Sequence, residues 1–185
     1  MADGAGITNH ASNQAGSPTA GGGAHAGSAS LCHFISFAIG DEQYGVDIMA
    51  VREIKGWSQI TPLPRQPDYM RGVLNLRGIM VPIIDLRCRF GEGLTEATPL
   101  HVVIVVQIGQ SHVGLLADRV LDIVALEPSQ IQPVPHVSKS SRADFLSGLV
   151  TIESGMIALI DLSNILAVSA EEGAEIRSAA AQTAA

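Results

Sequence analysis

The sequence predicts a mainly β protein, built as two small five-stranded β-barrel lobes packed side by side, with short helices and a disordered N-terminal tail. Three observations carry that expectation. The folded part repeats itself once. Each copy is a series of short apolar runs separated by Gly, Pro and Asp. With 46% hydrophobic but only 4% aromatic residues, the core must be built from Val, Ile and Leu, which suits β-branched packing between sheets.

Residues 1–30 are Gly, Ala, Ser and Asn with almost nothing to bury, so this stretch reads as a disordered tail. The folded region runs over 31–168, with a first lobe over 31–90 and a second over 91–168. Sliding the chain by 69 places lays Phe34–Ile54 on Val103–Ile123, so that Tyr44-Gly45 falls on Val113-Gly114 and Glu53-Ile54 on Asp122-Ile123. A slide of 76 lays Tyr69–Phe90 on Phe145–Leu166, with Gly72 on Gly148, Arg77 on Glu153 and Asp85-Leu86 on Asp161-Leu162. Each copy therefore holds about five short strands, and closing such a sheet into a barrel removes exposed edges.

In the first copy, a strand and a Gly-bearing turn lead to Asp47, after which the chain forms either a short capped helix or a turn and a strand ending at Ile54. Thr61–Pro67 and, in the second copy, Pro133–Pro135 must run along sheet edges, because proline donates no ladder hydrogen bond. Gly72–Leu86 reads as two apolar strands joined at Asn75–Gly78, and Gly78 lets the turn present the cation Arg77 from a rigid hairpin. The tail over 169–185 turns to Ala and Glu and either extends a short helix begun at Leu162 or frays.

Net charge is -7, which gives no electrostatic reason to seek nucleic acid or an anionic membrane. The longest apolar run, Val102–Val106, is far short of the ~20 residues that span a bilayer, so direct membrane insertion is not expected and a cytoplasmic location is. Cys32 and Cys88 lack metal-ligand spacing and read as buried small apolar residues. The core-region histidines, His33, His101, His112 and His136, have no acid at ligand spacing, and no nucleophile, phosphate-loop or dinucleotide motif is present. No enzyme, cofactor or metal is expected.

Glu53 and Arg77 are charges embedded in apolar blocks of the first copy, and Asp122 and Glu153 take their places in the second. An acid and a base attract where two acids repel. Residues 31–90 hold seven Lys or Arg and six acids, and residues 91–170 three and eight. That imbalance favours head-to-tail contact of the kind that closes into rings.

The block Asn75-Leu76-Arg77-Gly78 resembles the signature of the CheW family of bacterial chemotaxis coupling proteins. Phe34–Gly45, Val51–Gly56 with its Val-Arg-Glu-Ile, the Val-Pro-Ile-Ile-Asp-Leu-Arg run at 81–87, and Gly114–Ile123 are similar to family blocks in family order. The resemblance implies the same two-lobed fold. It implies a non-enzymatic adaptor between methyl-accepting chemotaxis receptors and the regulatory domain of the histidine kinase CheA, held at membrane-associated arrays through its partners. It assigns coupling to Glu53, Gly72, Asn75, Arg77 and Gly78, a receptor groove to Val51, Val102, Gly114 and Ile123, and ring assembly with kinase domains or with itself. The alternative is a stand-alone regulatory module of another two-component or pilus-type chemosensory system.

Overall fold

The computed structural model describes residues 30–135 and 142–166. The sequence expectations for 1–29 and 169–185 lie outside the described residues. Ten strands account for most of the rest: β1 Cys32–Ile39, β2 Glu42–Asp47, β3 Val51–Gly56, β4 Met70–Leu76, β5 Ile79–Asp85, β6 Val102–Ile108, β7 Ser111–Ala117, β8 Arg119–Leu126, β9 Leu146–Ile152 and β10 Gly155–Ile160. Two four-residue helices, α1 Leu86–Arg89 and α2 Leu162–Ile165, follow β5 and β10. Each starts on a capping aspartate, Asp85 accepting from the Cys88 N–H and Asp161 from the Ser163 N–H.

The strands form two five-stranded sheets, ordered β8-β1-β2-β10-β9 and β3-β6-β7-β5-β4. Replacing every strand by its repeat partner converts one order into the other. The internal duplication is therefore real in three dimensions, including the parallel pairs β2 with β10 and β5 with β7.

The expected mainly β fold of two five-stranded lobes is present, and two of its details differ from the simplest picture. The linear lobes, 31–90 and 91–168, are not how the strands are shared: the first sheet takes β1 and β2 from one copy and β8 to β10 from the other. A repeat makes the strands of either copy equally good neighbours, so spacing is blind to the exchange. The crossings themselves are short. Asp47 caps a 3₁₀ turn, Ile48–Ala50, by accepting from the Met49 N–H, and β3 then starts in the other sheet. Asp118 alone separates β7 from β8.

Barrel closure is also incomplete, since among the described residues no ladder joins β8 to β9 or β3 to β4. Register shifts interrupt the ladders of all four edge strands, at Ser36/Phe37 opposite β8, Leu159/Ile160 opposite β9, Val51/Glu53 within β3 and Met70/Gly72 within β4. On β8, the Ile123 N–H is taken by the neighbouring Asp122 carboxylate at 2.7 Å. Such irregularities protect an edge without pairing it.

The core has three layers. A central seam between the sheets contains Phe37, Tyr44, Ile84, Ile104, Leu115 and Ile160. The far face of one sheet buries Val81, Ile83, Val103 and Val105, and that of the other Val150, Ile157 and Leu159. Strand alternation divides the run Val102–Val106 between two layers, Val103 and Val105 facing one way, Ile104 and Val106 the other. That is why these strands read as unbroken apolar runs.

The proline-rich connections lie where expected. Thr61 pairs with Val73 of the edge strand β4, and Gln132 with Leu149 of the edge strand β9. Gly72 is needed for the first pairing: at φ 134° it leaves no room for a side chain, a Cβ there falling 2.2 Å from the Thr61 carbonyl oxygen. Cys32 and Cys88 are free and half-buried, not fully buried as expected, because each is in a segment with one face outward. Burial pushes the Cys88 thiol above its usual value, and the carboxylates of Asp85 and Asp68 add to this.

Gly72→Ala is therefore expected to cost about 2 to 4 kcal/mol of stability in urea unfolding. Gly56→Ala, where an added Cβ meets nothing within 4 Å, should stay within about 1 kcal/mol of the parent. Equal effects at the two positions would contradict the close approach.

Candidate functional site

The β4–β5 hairpin is closed by a two-residue turn in which both Arg77, at φ 54°, and Gly78, at φ 91°, are left-handed. Two positive φ values mark the type I′ turn, whose twist matches that of the flanking strands. Glycine accepts this at little cost, whereas arginine does not. Asn75 offsets part of the strain, its Oδ1 accepting the Gly78 N–H at 2.7 Å. Arg77 is thereby held outward at the tip. Beside it on β5, Ile79 and Met80 are 54% and 63% exposed, so the tip combines a fixed cation with uncovered apolar surface.

Glu53 and Arg77 line one cavity of about 150 Å³, together with Arg52 and His112. No ion pair joins Glu53 to Arg77 among the described residues, and Arg52 donates from Nε to Gln107 Oε1 at 2.8 Å. The attraction inferred from sequence is therefore proximity within one mouth, not a closed salt bridge. At the same place in the other sheet, Asp122 and Glu153 line a cavity of about 600 Å³. Neighbours related by the sequence repeat are thus neighbours in space in both sheets.

Of the remaining residues singled out from the sequence, Gly72 is buried in β4 against Thr61. Val51 and Val102 are half-buried and pack on the central seam. Gly114 is inside β7, where an added Cβ would sit 2.4 Å from Ile83 Cδ1. Ile123 stands out from β8, 56% exposed. These four groove residues occupy three environments, one of them fully interior.

The strand exchange sharpens the charge contrast. The segment building the second sheet, 51–117, holds seven Lys or Arg against five acids, whereas 31–50 and 118–168 together hold three against nine. Arg77 stands at the cationic end of this division.

Sequence reasoning missed the charged groups that fasten the sheets. The buried Asp85 carboxylate accepts from Arg71 at 3.1 Å, from the Thr95 N–H at 2.8 Å and from Thr95 Oγ1 at 2.7 Å. Asp118, at the β7–β8 crossing, accepts from Arg87 at 2.7 Å and from the Gly40 N–H at 2.7 Å. Buried Arg89 lies 4.1 Å from the ring centre of Tyr69 and 4.5 Å from that of Phe145, two residues related by the repeat. Arg142 pairs with Glu42 and Glu92 beside a cavity of about 390 Å³ walled by Tyr44, Leu149 and Met156. Burial, then a hydrogen bond to Glu42, raises the Tyr44 phenol above its usual range. No spacing signal marks these contacts, since most join residues far apart in the chain.

Comparison with known proteins places this geometry in a family. The CheW-like domain matches residues 33–170. The chain is 42% identical to the chemotaxis protein CheW of Rhizobium meliloti over 140 residues, 76% of this chain and 90% of that protein. It is 40% identical to CheW of Klebsiella aerogenes, covering 75% and 82%, and 30% identical to protein FrzA of Myxococcus xanthus, covering 72% and 84%. The crystal structure of the scaffolding protein TtCheW from Thermoanaerobacter tengcongensis superposes with a TM-score of 0.70 at 30% identity, over 78% of this chain and 94% of that one. The fold is thus shared with a solved scaffolding protein, and the chain belongs to the CheW family of chemotaxis scaffold proteins.

Proposed function

We propose that this chain is a non-enzymatic adaptor that couples methyl-accepting chemotaxis receptors to the regulatory domain of the histidine kinase CheA. The observation that carries the reading is the tip itself: Arg77 fixed in a left-handed turn, tied by Asn75 and flanked by exposed Ile79 and Met80. A preorganised cation beside apolar surface loses little entropy on docking and suits a protein partner.

In this reading Glu53, Asn75, Arg77 and Gly78 form the kinase-coupling face, with Gly72 holding the hairpin in place behind them. The receptor tip docks along the junction of the sheets, near Val51, Val102 and Ile123, with Gly114 keeping β7 close to β5. Fixing both partners in one lattice turns a small receptor displacement into a change in kinase activity, through binding free energy that differs between signalling states. The charge contrast between the two sheets favours head-to-tail contacts with kinase domains, or with further copies, that close into rings. Among the described residues no helix is long and apolar enough to cross a membrane. The adaptor reading places the chain in the cytoplasm, reaching receptor arrays through its partners.

In reconstituted arrays, Arg77→Glu is expected to lower kinase activation roughly tenfold, about 1.4 kcal/mol of coupling, while the thermal unfolding midpoint stays close to that of the parent. Full activation by this variant would refute the assignment. Asn75→Ala, by contrast, should cost about 1 kcal/mol of stability and speed hydrogen exchange at the Gly78 amide. An unchanged exchange rate there would show that the Asn75 side chain does not hold the turn.

A further inference from the structure

The duplication provides a comparison within one molecule. In the second sheet the mouth beside the β4–β5 turn holds Arg52 and Arg77 around the single acid Glu53. In the first sheet the corresponding mouth, between β8 and the β9–β10 turn, carries Asp122 in place of Glu53 and Glu153 in place of Arg77, and no Lys or Arg lines it. It is also the larger, at about 600 Å³ against about 150 Å³.

Neither carboxylate forms an ion pair among the described residues, and the one hydrogen bond that Asp122 accepts on its side chain comes from the adjacent Ile123 N–H. Ser36 lines the mouth and is already satisfied, exchanging hydrogen bonds with the Asp122 main chain at 3.0 and 3.1 Å. Around the acids the lining mixes Gln43 and Ser154 with apolar residues, of which Leu121 is 40% and Ile123 56% exposed.

We infer that the cleft between β8 and the β9–β10 turn is a docking site for a protein partner that inserts an arginine or lysine side chain flanked by apolar residues. The second sheet supplies such a cation to its own mouth; the first sheet does not. Two like charges facing one opening repel, and an incoming cation converts that repulsion into attraction. Leu121 and Ile123 add apolar area around the charge, the arrangement in which a buried arginine anchors an interface. In the adaptor reading Arg77 is engaged by the kinase, so the inserted cation belongs to a different chain. The inference goes beyond that reading, and the two fail separately, because the assay below contains neither kinase nor receptor.

The test is amide NMR on the full chain, titrated with the capped pentapeptide Ala-Ile-Arg-Ile-Ala and with the same peptide carrying Gln for Arg. The arginine peptide is expected to shift the amides of 121–125 and 152–154 in a saturable way and to leave those of Glu53 and Arg77 unmoved. Binding should be weakened roughly tenfold by the glutamine peptide or by Asp122→Asn/Glu153→Gln. If the double variant does not fold, Glu153→Gln alone, at an exposed turn position, carries the comparison. Equal binding of both peptides, shifts confined to other residues, or no shift at millimolar peptide would overturn the inference. So would cleft shifts that grow with the concentration of the chain alone and vanish in Arg77→Glu, which would give the site to a second copy.

Discussion

The central seam is the constraint on which the rest of the structure depends. Five strands, β1, β5, β6, β7 and β10, send side chains both into it and into the far layers, and β2 adds Tyr44 and Val46 to it. The buried stretches of those five strands are therefore apolar on both faces, with no water-facing side on which to carry charge. The charged residues of the described segments lie on the edge strands β3, β4 and β8, at strand ends such as Glu42, Asp47 and Asp85, in the short helices and connections, in the turns and at the crossings. Glu53, Arg77, Asp122 and Glu153 all lie in such places, which is why the two mouths of the molecule are where its chemistry differs.

The seam also explains how the sheets hold one another in register. Because β1 and β2 pair with strands of the other copy, neither half has a complete sheet without its partner. Polar groups secure the joints that apolar packing leaves unspecified. Asp118 ties the β7–β8 crossing to the turn at Gly40 and to α1 through Arg87. Asp85 anchors Arg71 and Thr95, fixing the connection that leads from the first copy into the second. In the adaptor role proposed above, these joints serve to keep the docking faces at a fixed separation.

Much of this was legible in the sequence, for identifiable reasons. The hairpin could be placed because Arg77-Gly78 is short-range turn chemistry, and the edge position of Thr61 followed from the prolines after it. The repeat brought Glu53 together with Arg77, and Asp122 with Glu153, before any coordinate did. Strand exchange was invisible because equivalent residues make equivalent neighbours. Incomplete closure was invisible because it turns on register shifts near Ser36 and Glu53 that leave the apolar pattern unchanged. No motif or spacing marks Arg89, and only the fold reveals it against the rings of Tyr69 and Phe145.

Native-state hydrogen exchange over the seam tests the central claim most directly. If the sheets share one core through exchanged strands, the amides of Phe37 and Tyr44 in one sheet and of Ile104 and Leu115 in the other must open with a single free energy, equal to that of global unfolding. Two distinct opening energies, one for each sheet, would contradict the account and return the molecule to a pair of independent lobes.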